Sequence, residues 1–229
     1  MIDNEKIREF ARDRLSCGYV WGATGWVCTP ARRKAQAARY PAHRHNILSV
    51  CKKWDGKKCY DCAQFTRYAL KAGGLSLPSG ATSQWKKGDF AFKGEIGFLP
   101  QTHMCLLFRQ NGSKMAHVGL YMGDGTVIHA AGSAKGVVQE SIDSTWTHIA
   151  CWDFVPEMSG ENAVVTAKSG STVNLRQSPS LKGALLMRIK TGQCVTILSR
   201  EKDWAHICYN GQCGWMMLEF LQSKEESHE

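Results

Sequence analysis

No stretch of this sequence approaches the ~18–20 consecutive apolar residues that a bilayer-crossing helix needs, which excludes a helical span within the chain. The opening MIDNEKIREFARDRLS also lacks the 7–15-residue apolar core of a secretory leader. Ile2, Ile7, Phe10, Ala11 and Leu15 are instead interleaved with charges, as in an amphipathic helix. The expectation is a chain made in the cytoplasm and released by a route other than Sec, or one whose leader has been trimmed.

Acidic residues are nearly missing from residues 32–58, where nine Lys and Arg face a single acid, Asp55. That stretch carries +8 of the chain's formal +9. A basic surface of this kind attracts polyanions: nucleic acid, anionic lipid, or phosphate-rich wall polymers. The alternative is a solvated helical face. Aromatic residues there stop at Tyr40 and Trp54, too few for a base-stacking platform, and no nucleic-acid-binding motif is present. Neither nucleic acid nor membrane is expected as a partner; anionic wall polymers remain a candidate, and the chain is expected to be a monomer.

Metal-ligand spacing is lacking as well. His43, His45, Cys51, Cys59 and Cys62 lie near one another in sequence. A second C-x-x-C or an H-x₃₋₅-H half is missing, so no metal and no cofactor are expected. No βαβ pattern surrounds Cys59-x-x-Cys62, which argues against thioredoxin-like redox chemistry. The ten cysteines show no framework spacing and read mostly as small buried apolar residues, Cys59 among them. No internal repeat is visible.

What is present divides the chain. Residues 1–157 mix helix and strand patterns, 158–162 read as a linker, and 163–222 alternate apolar residues between Gly, Pro and Asn-Gly punctuation. That second pattern predicts a small all-β barrel; the polar residues 223–229 are expected to be disordered. Within the barrel, ICYNGQCGW places Asn210-Gly211 between short strands, the strongest short-range hairpin signal. A two-residue loop sets Cys208 opposite Cys213 in a non-hydrogen-bonded pair, close enough for a disulfide.

In CYDCAQFTRYALKAGG, Asp61 is a good N-cap, Cys62 the first helical residue, and Gly73-Gly74 the stop. A thiol at a helix start meets free N–H groups and the positive end of the helix dipole, so its pKa is expected to fall. A nucleophilic thiol needs a base and a group that orients the base. Candidates lie in MAHVGLYMGDGTVIHAAG, which reads as a β-hairpin. With a three-residue Gly-Asp-Gly loop, His129 opposes Gly119 and shares a face with His117; with a two-residue loop it points away. The three-residue loop is expected.

These residues also carry a resemblance. YVWG, DCAQF, KGDFAF, HVGLYMGDGTVIHAAG and GVVQES resemble the NlpC-type cell-wall peptidases. VNLRQSPS, KTGQCVTIL, DWAHICYNGQCGWM and LEFL resemble the bacterial SH3 domain. The resemblance implies an α+β papain-like domain, helices packed on an antiparallel sheet, followed by a small all-β SH3-like barrel. It implies Cys62 as nucleophile, His117 as base and His129 as its orienting residue. Tyr19, Asp61, Ala63 and Gln64 fall at substrate-binding positions, and Trp204 and Trp215 are wall-binding candidates, at least one of them expected in the barrel core. The implied activity is cleavage of peptidoglycan stem peptides, commonly at the D-γ-glutamyl–diamino acid bond, by an endolysin or autolysin acting at the wall. An amidase or acyltransferase with the same triad, or a degenerate wall-binding protein, are the alternatives. Ala63 and Gln64 replace the usual Ser and Gly, which puts the non-primed side of the cleft in question. A basic insert, about residues 26–58, exceeds the family's usual spacing and is expected to pack beside the cleft. The alternative for Tyr19 and Trp21 is that they are only core aromatics, a reading that fits Trp21 better than Tyr19.

Overall fold

In a computed structural model, residues 2–155 and 160–223 are described. Residues 158–159 of the linker and 224–229 of the tail lie outside them, and Glu161 and Asn162 of the linker already belong to a strand. In chain order the elements begin α1 (Asn4–Arg12), β1 (Gly18–Tyr19), β2 (Thr24–Val27), α2 (Pro30–Arg39) and α3 (Arg44–Leu48). Then come β3 (Lys58–Tyr60), α4 (Cys62–Ala72), α5 (Ala81–Lys87) and β4 (Phe92–Glu95). Next are β5 (Cys105–Asn111), β6 (Lys114–Tyr121), β7 (Thr126–Gly132), β8 (Gly136–Ser141) and β9 (His148–Cys151). The last are β10 (Glu161–Val165), β11 (Thr172–Arg176), β12 (Leu185–Lys190), β13 (Cys194–Glu201), β14 (Trp204–Tyr209), β15 (Gln212–Met217) and β16 (Leu221–Ser223). No helix among the described residues is long and apolar enough to cross a membrane.

Two units form. The first comprises Met1–Phe90 and Leu99–Asp153, the second Ala91–Phe98 and Phe154–Glu229. In the first, an antiparallel sheet runs in the order β9-β5-β6-β7-β8. Ile7 and Ala11 of α1 and Phe65, Ala69 and Leu70 of α4 bury their apolar stripes with Leu106, Phe108, Val118, Leu120 and Ile128 of the sheet. Burial of a Leu, Ile or Phe side chain contributes about 1.5–3 kcal/mol each, so this shared layer is the unit's main source of stability. α1 and α4 approach closely because Gly73 lacks a side chain; a Cβ there would come within 2.4 Å of Ile7. Asp3 caps α1 by accepting from Lys6 N–H.

Residues 26–58 form a small folded body with its own core of Cys28, Ala37, Ile47, Cys51 and Trp54, continuous with Val20, Ala23 and Cys59. Arg33 is buried there and paired in both prongs with Asp55, Nε to Oδ1 at 2.9 Å and Nη2 to Oδ2 at 2.8 Å. Its remaining nitrogen, Nη1, donates to Leu48 O. The segment's one acid is thus consumed internally. Arg32, Lys34, Arg39, Arg44, Lys52, Lys53, Lys57 and Lys58 remain exposed.

The second unit is a small barrel whose core is Ala163, Val165, Leu175, Ile189, Val195, Ile197, Ala205, Ile207 and Met216. Tyr209 pairs with Gln212 and Cys208 with Cys213. Asn210 and Gly211 both take positive φ, 46° and 74°, the signature of a type I′ turn. Cys208 and Cys213 are joined in a disulfide with Cα atoms 4.0 Å apart. Two expectations need correction. Neither Trp204 nor Trp215 is fully buried; Trp215 stacks on His206 at 5.0 Å, because aliphatic residues already fill the narrow interior. The segment Ala91–Phe98 also belongs to this unit rather than to a continuous residue 1–157 domain, since β4 pairs in parallel with β15 through Lys93 and Gln212.

Candidate active site

Cys62 opens α4. Asp61 accepts Gln64 N–H at 2.7 Å with one oxygen and Gly22 N–H at 3.0 Å with the other. One carboxylate therefore caps the helix and pins the loop after β1 to its start. Parallel pairing of β1 with β3 sets Tyr19 beside Tyr60, one residue from that cap. The Cys62 sulfur lies against the backbone N–H groups of Val118, Ala63 and Cys62 itself. Val118 follows His117 directly in β6, which brings helix start and strand together.

Contrary to the expectation of a depressed pKa, the thiol of Cys62 is pushed up to about 12. Burial is the main cause, and the neighbouring Asp61 carboxylate adds to it. The side chain is only 8% exposed. Loss of solvation of the thiolate outweighs the helix-start N–H groups.

The hairpin has the three-residue loop. Leu120 opposes Ile128, Tyr121 opposes Val127, and Met122 N–H donates to Thr126 O around Gly123-Asp124-Gly125. His129 therefore shares a face with His117, and His117 Nε2 lies 2.7 Å from His129 Nδ1. His129 Nε2 lies 3.0 Å from Glu140 Oε2, and the other Glu140 oxygen accepts from Lys135 Nζ at 2.6 Å. Trp146 packs against both imidazoles, with ring centroids 5.6 and 5.4 Å away. Burial holds His117 down to about 3, aided by His129 and Arg109. His129 is lowered as well, chiefly by burial. Glu140 is held below the usual carboxylate range, first by Lys135 and then by His129.

Tautomers follow. An ionised Glu140 accepts only, so His129 Nε2 carries a proton and donates to it. A neutral His129 then presents a bare Nδ1, which must accept from His117 Nε2–H. His117 is left with Nδ1 as its basic nitrogen.

Sequence reasoning assigned no role to Glu140 or Trp146. The signal for Glu140 was available: His129 pairs with Val138 across β7–β8, so Glu140 sits diagonally on the same face.

The sulfur opens onto a cavity of about 460 Å³ whose walls include Tyr19, Trp21, Asp61, Ala63 and Lys114. Gln64 is not among the lining residues. Its amide nitrogen donates to Ser79 Oγ at 3.1 Å, and its oxygen accepts from Arg67 at 3.4 Å. Gln64 thus supports the loop before α5 rather than facing the cleft, which corrects its expected place on the substrate surface. Trp21 is not a core residue but 38% exposed, stacked on His43 of the insert at 3.7 Å. Cys59 and Cys62 are both unbonded thiols, and no group of three or more potential metal ligands is assembled among the described residues.

A buried thiol at a helix start that meets the N–H of Val118, the residue after His117, and an imidazole whose tautomer is fixed by a second imidazole are the parts that nucleophilic cysteine chemistry needs. Residues 52–155 match the NlpC/P60 family, and residues 169–219 match the bacterial SH3 domain. The two matches lie in the order of an NlpC/P60 domain followed by a bacterial SH3 domain, and the NlpC/P60 family is one of cysteine peptidases. It is 34% identical over 76 residues to the probable endopeptidase p60 of Listeria welshimeri, covering 33% of this chain and 14% of that protein. It is 29% identical over 90 residues to a putative N-acetylmuramoyl-L-alanine amidase of Bacillus subtilis, covering 39% of this chain and 17% of that one. The probable endopeptidase Cgl2188 of Corynebacterium glutamicum is 25% identical over 146 residues, covering 64% of this chain and 52% of its own length. The chain thus spans well under a fifth of the first two relatives.

Proposed function

We propose that this protein is a peptidoglycan hydrolase, a cysteine endopeptidase that cuts stem peptides at the D-γ-glutamyl–diamino acid bond. Its SH3-type barrel then holds it at the wall, with the half-exposed Trp204 and Trp215 as contact rings. The carrying observation is the ordered set Lys135–Glu140–His129–His117, which leaves His117 Nδ1 free as a base next to the helix that bears Cys62.

With both groups neutral at rest, His117 takes the thiol proton as the sulfur attacks the scissile carbonyl. The developing oxyanion is stabilised by backbone N–H groups at the start of α4, Cys62's among them. The imidazolium returns the proton to the leaving amine, which departs and leaves a thioester on Cys62. Water, activated by His117, then releases the acid. Tyr19, Asp61 and Ala63 line the approach.

The test is mass spectrometry of sacculi digested with wild type and with Cys62→Ala. Peptide fragments ending at D-glutamate, absent with the variant, are the expected products. The amidase relative gives a second reading its footing; release of intact stem peptides from muramic acid would establish that reading instead.

A further inference from the structure

A second cavity, of about 230 Å³, shares two aromatic residues with the cavity at the sulfur. Tyr19 and Trp21 belong to both walls. The far wall is made by the insert, through His43, Asn46 and Ile47, and by Ser133 from the connection between β7 and β8. The insert grips both sides of this space. Gln36 Nε2 donates to Trp21 O at 2.7 Å while His43 stacks on the indole, so Trp21 is held by backbone and ring together. Across the gap, Trp54 Nε1 donates to Ser133 O at 2.8 Å, and Lys53 Nζ donates to Ala134 O.

The lining differs in kind between the two. The cavity at the sulfur holds a carboxylate, Asp61, and a cation, Lys114. The second holds no Asp, Glu, Lys or Arg among its lining residues. Its polar side chains are those of Tyr19, His43, Asn46 and Ser133, and the carboxamide of exposed Asn46 makes no hydrogen bond among the described residues. An exposed indole, a tyrosine and a free carboxamide suit a flat, uncharged group that both donates and accepts hydrogen bonds.

We propose that the insert builds a specificity subsite for a neutral amide-bearing group on the substrate, with Asn46 as its hydrogen-bonding residue and Trp21 in its wall. This rests on the hydrolase reading above. The chemistry is shared by two sources, a side-chain carboxamide on an amidated stem peptide and the acetamido group of an attached sugar. An acidic group at the same point would lose its water without meeting a Lys or Arg among the lining residues.

Three synthetic substrates of one stem sequence distinguish the sources: free acid, side-chain carboxamide, and free acid bearing an N-acetylated sugar. Wild type should favour the carboxamide or the sugar-bearing substrate over the free acid by roughly three- to tenfold in kcat/KM, the range one or two neutral hydrogen bonds supply. Asn46→Leu, which keeps the volume, should bring that ratio to about one, whereas Ala35→Ser on the exposed face of α2 should leave it at the wild-type value. Equal kcat/KM for all three substrates in wild type, or a ratio that survives Asn46→Leu, overturns the subsite. Failure of wild type to cleave any of the three would instead defeat the hydrolase reading.

Discussion

His117 and His129 share one hydrogen bond, Nε2 to Nδ1 at 2.7 Å, and Gly119 is what permits it. A Cβ at Gly119 would come within 3.0 Å of the His129 Cβ, 2.7 Å of Val127 and 2.9 Å of Trp146. The bare backbone leaves the slot that the His129 ring and Trp146 occupy.

Removing the orienting ring should therefore cost turnover more than binding. His129→Ala is expected to lower kcat by about 10²–10⁴, the usual share of positioned acid–base catalysis, with KM little changed. His129→Asn, whose amide oxygen can still accept from His117 Nε2–H, should recover part of the loss. Steady-state kinetics on a soluble stem peptide checks both.

The neutral resting pair fixes the pH behaviour. His117 is a base only when unprotonated, and its pKa is lowered to about 3. The acid limb of kcat/KM should lie well below the ordinary histidine range, with hydrolysis persisting at pH 5. The Cys62 thiol, raised to about 12, should alkylate slowly with iodoacetamide at pH 7 and faster as pH rises. A pH–rate profile run with an alkylation series would expose a resting thiolate if one existed.

Asp61 contributes a stability term of the opposite sign to most carboxylates. Burial raises its pKa from 3.8 to about 6, so the folded state holds its proton more tightly than the unfolded one. The resulting stabilisation is fully present below pH 3.8, is lost as pH rises through about 6, and amounts to about 2–3 kcal/mol. Asp61→Asn should flatten that part of the denaturant-midpoint profile. It should also speed Cys62 alkylation, since the carboxylate that opposes the thiolate is gone.

Salt should separate the insert's role from that of the cleft. Eight exposed cations with no free acid among residues 32–58 favour a polyanion. Raising ionic strength from about 0.01 M to about 0.15 M shortens the Debye length from ~30 to ~8 Å. Hydrolysis of intact walls should fall over that range while hydrolysis of a soluble stem peptide holds. Parallel losses on both substrates would remove the anionic-wall idea.

Arg33→Ala removes the two-pronged pair with the partly exposed Asp55 and the Nη1 bond to Leu48 O, and should unfasten the insert at a cost of about 1.5–3 kcal/mol, the range of hydrogen bonds to charged groups. Hydrogen exchange across residues 28–58 should rise more than exchange in β5 or β6.

Local rules were enough for several features. Asp61 before Cys62 and Gly73 after Ala72 bound α4 as read. The Asn210-Gly211 turn set Cys208 against Cys213, and the loop length at Gly123–Gly125 put both imidazoles on one face. These depend on neighbours a few residues away, which a sequence displays directly. Glu140 was legible only by carrying the same register argument one strand further.

Sequence by itself determined which groups exist and which local elements present them: a thiol at a helix start, two histidines on the adjacent strands of one hairpin, and a charged insert. Tertiary structure alone decided their protonation and their surroundings. Desolvation depends on everything packed around a group, so it turned a thiol expected to ionise readily into one that stays neutral. Long-range packing turned Gln64 away from the cleft, brought Trp21 out to His43, and drew Ala91–Phe98 into the barrel's unit.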